Sequence, residues 1–145
     1  MLYGCNPLDR ELTAENKLKA VLTVEAPLVS CKTLHGGSTV GYGQSWCCPE
    51  TMPVGYAGLG YRDGIPRGLN SSATVVVAGV RCPVIGRVSM DSVAIDLRPV
   101  GRQPLGSPIQ FWGEQASIDA LACAAGTISY ELLTSIIGRR HYTDG

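Results

Sequence analysis

Two tyrosines sit among glycines. Tyr42 lies in Val40-Gly41-Tyr42-Gly43 and Tyr61 in Gly60-Tyr61-Arg62-Asp63-Gly64. A bulky aromatic flanked by glycines projects from a tight turn, where its hydroxyl can give or take a proton. Packing at a sheet edge is the plainer reading of either one. Other chemistry is thinly supplied. The two histidines, His35 and His141, lie far apart, and neither falls in a nucleophile motif. Cysteines stand at 5, 31, 47, 48, 82 and 123 without a C-x-x-C pair, so no zinc site is expected. Reduced thiols are the expectation, including the adjacent Cys47 and Cys48. Gly58-x-Gly60-x-x-x-Gly64 misses the dinucleotide-binding spacing by one residue and reads as a strand-to-loop corner.

The elements that must position these residues are mostly strands. Glycine numbers 18 and proline 9 in 145 residues, a turn-rich composition that favours an all-β fold. Alternation of Leu18, Ala20, Leu22, Val24, Ala26 and Leu28 predicts a strand over 17–30, followed by a turn at His35-Gly36-Gly37. Residues 51–61 are apolar but broken by Pro53, Gly55, Gly58 and Gly60, as in a bulged or bent strand. Thr74–Val77 and Arg81–Val84 flank Ala78-Gly79 as a hairpin. Residues 92–97 alternate, with Val93, Ile95 and Leu97 against Ala94 and Asp96. A short strand follows at Ile109–Trp112. Ser117 caps a helix carrying Ile118, Leu121, Ala122 and Ala125, ended by Gly126. Ser129 caps a second helix, with Leu132, Leu133, Ile136 and Ile137 on one stripe, ended by Gly138. The expectation is one domain over 1–145, a small closed β-barrel with two short C-terminal helices.

Composition narrows the function classes. Hydrophobic residues make up 45% and charged residues 17%, the balance of a folded chain. Twelve basic and twelve acidic side chains cancel, which argues against nucleic acid or an anionic membrane as partner. No apolar run approaches the roughly 18 residues that span a bilayer. The start, Met1-Leu2-Tyr3-Gly4, lacks the basic and apolar regions of a signal peptide, so a cytoplasmic location is expected.

Five ordered segments resemble the C-terminal domain of alanine racemases. They are Leu2-Tyr3-Gly4, Val40 to Trp46, Gly60 to Arg67, Pro83 to Asp91 and Thr127 to Glu131, and they extend over residues 2 to about 137. The resemblance implies a homodimer in which an N-terminal barrel holds pyridoxal 5'-phosphate on a lysine. The β-domain of the partner subunit completes each site. It implies a base on each face of the substrate: the barrel lysine, and a tyrosine that Tyr42 matches. A tyrosine hydroxyl ordinarily titrates near pH 10, so such a base needs a lowered pKa or a relay, and no residue of this chain is identified for that task. Met90 matches the residue whose backbone N–H meets the substrate carboxylate. Tyr61, Arg67, Arg87 and Asp91 match residues lining the substrate channel, and Tyr130 matches the tyrosine reaching the cofactor phosphate. Without the resemblance, Met90 reads as core filling, and Arg67, Arg87 and Asp91 as solvated surface charges or an ordinary salt bridge.

The implied reaction is the interconversion of L- and D-alanine for peptidoglycan, with Tyr42 deprotonating the L-enantiomer. Residues preceding Leu2-Tyr3-Gly4 in the family, with the cofactor lysine, have no counterpart, and Lys17, Lys19 and Lys32 do not match that motif. The chain alone is therefore expected neither to hold the cofactor covalently nor to racemise. The loops of Tyr42, Tyr61 and Met90 are expected on one exposed side. Departures from the family pattern are Arg62 in place of a small residue, Ile65 in place of an aromatic, Cys47-Cys48, and the short tail Gly138 to Tyr142. Arg62 and Ile65 keep open a racemase of serine or of several amino acids. A stand-alone β-barrel that binds or dimerises is the alternative of another class.

Overall fold

The computed structural model describes residues 19–136. Leu2-Tyr3-Gly4, Cys5, Lys17, Leu18, His141 and the second helix's expected Ile137 and Gly138 lie outside the described residues. Six strands form a closed antiparallel barrel: β1 (Val24–Leu34), β4 (Met52–Ala57), β7 (Val93–Asp96), β6 (Val80–Ile85), β5 (Thr74–Val77) and β8 (Pro108–Trp112), in that order around it. A two-stranded sheet of β2 (Thr39–Val40) and β3 (Trp46–Cys47) stands beside it. Two helices follow, α1 (Ile118–Ala125) and α2 (Ser129–Ser135).

The long first strand closes the barrel by changing partners. Its first residues, Val24–Pro27, pair with β8, and Leu28–Leu34 pair with β4. Between Leu28 and Ser30 it advances two residues while β4 advances one, from Ala57 to Tyr56. The extra residue is Val29, which is exposed. The bulge thus lies in β1 and not in the 51–61 segment, where the sequence suggested it. Gly58 serves it, since a Cβ there would come within 2.8 Å of Val29 Cγ1. The strand also begins later than 17–30 predicts. Val24 pairs with Trp112, the last residue of β8, so the apolar positions before it have no strand to join. Leu22 and Val21 are exposed.

Val24, Ala26 and Leu28 point inward and meet Val75, Val77, Ile95, Leu97, Ile109 and Phe111 in the main core. All four residues of β7 are buried, against the half-exposed alternation expected there. The cause is a second cluster on its outer face, where Val40, Cys48, Met52, Val54 and Ile85 cover Ala94. Asp96, on that same face, is answered by Arg98, whose Nε and Nη2 donate to both carboxylate oxygens at 2.6–3.1 Å. The Arg98 Nη1 also bonds Glu50 at 2.7 Å.

The Ala78-Gly79 hairpin forms as expected, both residues having positive φ (49° and 78°). Ser117 Oγ accepts from Ala120 N at 3.3 Å and Gly126 ends α1 at φ 70°, as the sequence predicts. For α2 the expected cap is displaced. Ile128 occupies the cap position, and Ser129 is buried with its hydroxyl donating to Asp119 of α1. The helix stops at Ser135, with Leu132 in the main core. Cys31, Cys47, Cys48, Cys82 and Cys123 are free thiols. No described helix is long and apolar enough to cross a membrane.

Candidate functional site

A single stretch of backbone, Gly86–Asp91 between β6 and β7, gathers the two glycine-flanked tyrosines. On one side lies the turn Tyr42–Gln44, which links β2 to β3. Gly41, Gly43 and Gln44 all have positive φ (85°, 68° and 53°), which winds the turn tightly and turns Tyr42 outward, 52% exposed. A Cβ on Gly41 would come within 2.7 Å of Arg87 N, so the turn presses directly on this stretch. Arg87 N donates to Ser45 Oγ at 3.2 Å and fastens the contact.

On the other side lies the turn Tyr61–Asp63, which follows β4. Tyr61 N donates to Ser89 O at 3.0 Å and Arg62 N to Met90 O at 3.1 Å. Gly60 makes the approach possible, because a Cβ there would sit 2.3 Å from Met90 O. Asp63 closes its own turn by accepting from Gly60 N at 3.0 Å. The side chain of Tyr61 is 39% exposed and that of Met90 44%. Arg87 and Met90 are three residues apart, so the two contacts lie within about 11 Å of each other. Tyr42, Tyr61, Arg87, Met90 and Asp91 thus share one exposed loop cluster.

The remaining candidates are linked less directly. The Tyr61 turn also rests on the end of α2, since a Cβ on Gly64 would be 2.2 Å from Ser135 O. Tyr130 is exposed near the opposite end of that helix, five residues earlier, about 7.5 Å along the axis. Arg67 is exposed in the loop after Pro66.

The polar groups of the cluster are mostly uncommitted. Among the described residues, the hydroxyls of Tyr42, Tyr61 and Tyr130 make no hydrogen bond, and the guanidinium groups of Arg67 and Arg87 make no ion pair. The N–H of Met90 likewise donates to no described group, although its carbonyl is engaged. Asp91 differs: its Oδ1 lies 3.2 Å from Arg62 Nη1, with both side chains about three-fifths exposed (61% and 60%). Sequence reasoning missed this pair, because 29 residues separate its members and charge alone does not pair them. It also assigned no role to Ser45 and Asp63, which hold loops rather than face outward. The spacing Gly60-x-x-Asp63 was the available signal for the second of these. The described residues contain no cluster of three or more His, Cys, Asp or Glu placed to hold a metal ion.

Comparison with known proteins bears on the family and the fold. The profile of the family "Alanine racemase, C-terminal domain" matches residues 21–143. The chain is 42% identical over 139 residues to the alanine racemase of Nitrosococcus oceani, covering 96% of this chain and 39% of that protein. The biosynthetic alanine racemase of Pseudomonas aeruginosa superposes with a TM-score of 0.88 at 38% identity, over 93% of this chain and 38% of that one. The alanine racemase of Bartonella henselae, solved with covalently bound pyridoxal phosphate, superposes with a TM-score of 0.82 at 30% identity, over 92% and 37%. The chain therefore spans about two-fifths of the length of these relatives. With the barrel, the paired helices and the profile all in accord, the chain belongs to the alanine racemase C-terminal domain family.

Proposed function

We propose that this chain supplies one face of the active site of a pyridoxal-phosphate-dependent alanine racemase, cytoplasmic and dimeric, which provides D-alanine for peptidoglycan. In this reading the loop cluster docks on the N-terminal barrel of the partner subunit. The observation that carries it is the Gly86–Asp91 stretch, which fixes two tyrosine turns by backbone contacts and leaves the Met90 N–H unpaired beside them.

Tyr42 is the base for L-alanine. Its rigid turn fixes the ring's origin while the hydroxyl stays free to take the α-proton. The Met90 N–H donates to the substrate carboxylate, a charge-assisted bond that orients the Cα–H bond toward Tyr42. Tyr61, Arg67, Arg87 and Asp91 line the way in. Bound pyridoxal phosphate would supply a sink for the electron pair left at Cα, so that the task of the protein's residues is proton transfer on each face. What this chain offers the cofactor is one hydrogen-bond donor: the exposed, unpaired Tyr130 hydroxyl suits a phosphate oxygen.

The test needs a complete site, such as a chimera joining this chain to the N-terminal part of the Pseudomonas aeruginosa relative. Tyr42→Phe keeps the ring and removes the base. Racemisation should fall by about 10²–10⁴-fold. Exchange of the α-proton of D-alanine with deuterium should outlast exchange from L-alanine. Equal loss from both enantiomers, or near-normal racemisation, would show that Tyr42 is not the L-specific base.

A further inference from the structure

The Arg62–Asp91 pair has little to do for the fold. Its two segments are already joined by the bonds from Tyr61 N to Ser89 O and from Arg62 N to Met90 O, and by the close seat of Gly60. An ion pair with both side chains about three-fifths exposed adds little stability to such a junction. Its effect lies in the charge that it leaves visible.

On the Gly86–Asp91 stretch and the Tyr61–Asp63 turn the cations are Arg62 and Arg87, and the anions are Asp63 and Asp91. Asp63 is partly buried, and one of its oxygens accepts from Gly60 N. Asp91 is the exposed anion, and Arg62 holds it. An amino acid arriving at these two segments therefore meets one unpaired guanidinium group, that of Arg87, and no unpaired exposed carboxylate on them. Its own carboxylate is welcomed. A cationic side chain is opposed by Arg87 and finds Asp91 already taken. Without Arg62 these segments would hold one cation and two anions, with Asp91 free to pair with an ammonium or guanidinium group.

We propose that Arg62 is a specificity-determining residue that masks Asp91, so that the site discriminates against amino acids with cationic side chains and admits small neutral ones. This rests on the racemase reading above for its substrate class. The masking itself rests on the Arg62–Asp91 geometry.

In the chimeric racemase, the quantity to measure is kcat/KM for L-lysine divided by that for L-alanine. Arg62→Ala should raise this ratio about two- to fivefold, the scale of one exposed ion pair. Arg62→Lys, which keeps the charge, should leave it near the parent value. The double variant Arg62→Ala/Asp91→Asn should bring it back, and 1 M salt should erase the gain, because screening then acts over about 3 Å. An unchanged ratio in Arg62→Ala, or a gain that survives Asp91→Asn, overturns the proposal. Failure of the parent chimera to racemise alanine counts against the racemase reading instead. The masking is then decided on the 145-residue chain by NMR, with the dication L-lysine methyl ester as probe. The probe should move the Asp91 carboxyl carbon resonance in Arg62→Ala but not in the unchanged chain. Equal response of the two chains overturns the masking.

Discussion

Gly60→Ala tests whether the loop cluster is held together by backbone contact. Gly60 has an extended conformation (φ −142°, ψ −164°) that any residue can adopt, so a methyl group there carries no dihedral penalty. The penalty is spatial. An ideal Cβ would lie 2.3 Å from Met90 O, 2.4 Å from Ser89 O and 2.5 Å from Met90 C, all backbone atoms. A carbon and an oxygen rest at about 3.3 Å or more, so the two segments must part by roughly 1 Å. That breaks or strains the bonds from Tyr61 N and Arg62 N, now 3.0 and 3.1 Å long. At about 0.5–1.5 kcal/mol each, the expected loss is about 1–3 kcal/mol. Urea denaturation of the chain should show a lower midpoint with an unchanged slope, because the barrel core is untouched. Hydrogen exchange should show the Tyr61 and Arg62 amides losing protection before those of the barrel strands. Gly68→Ala is the control: nothing lies within 4 Å of its Cβ position, so it should be neutral or stabilise by a few tenths of a kcal/mol, roughly the lower range for such changes. A Gly60→Ala chain as stable as its parent, with both amides still protected, refutes the reasoning.

Two further outcomes concern the barrel. Arg98→Ala leaves the buried Asp96 carboxylate without its guanidinium partner, keeping only the bond to Oδ1 from the backbone N–H of residue 98. Loss of one partner of a fully buried pair costs about 3–5 kcal/mol, and the 39% exposure of the Arg98 side chain reduces the expected loss to about 2–3 kcal/mol in thermal or urea unfolding. Burial, with a smaller push from Asp96, raises the Cys82 thiol from its ordinary 9.0 to about 11. The folded state thus keeps a proton that the unfolded state releases, so stability is full below pH 9 and falls as pH rises toward 11. The drop is about 2–3 kcal/mol, at about 1.4 kcal/mol per pH unit. Cys82→Ala should flatten it, while Cys48 and Tyr56, also raised chiefly by burial, keep a residual slope in the same direction.

The barrel was legible where alternation and turn chemistry are local. The Ala78-Gly79 hairpin, the Ser117 cap and the Gly126 stop each depend on neighbours within a few residues, and each formed where the sequence put it. The readings that moved depend on distant partners. The apolar period before Val24 is real, but pairing ends where β8 ends at Trp112. The full burial of β7 comes from Val40 and Cys48, some fifty residues away. The buried Ser129 was read as a cap because caps and α1–α2 hydrogen bonds use the same residue type.

The gathering of the candidate loops was legible for a related reason. In the motifs that carry the family resemblance, attention falls on Tyr42, Tyr61 and Met90, yet their neighbours are set by glycines. Gly41 meets Arg87, Gly60 meets Ser89 and Met90, Gly64 meets Ser135, and Gly86 meets Val40, each at 2.2–2.8 Å from a Cβ that is not there. Gly37, Gly68, Gly79 and Gly101 have nothing within 4 Å of the same position. These four motif glycines are contact points between backbones, whereas Gly43 of the Tyr42 motif meets nothing within 4 Å, and Gly55, Gly58 and Gly113, outside the motifs, meet side chains at 2.7–2.8 Å. Backbone contact fixes the loops without using side-chain polar groups. That is why the hydroxyls of Tyr42 and Tyr61 and the N–H of Met90 can all remain unengaged in an ordered cluster. It is also why the pairing of Arg62 with Asp91 went unread although each residue was singled out: the pair holds nothing that the backbone does not already hold, so it is free to set the charge of the cluster's rim.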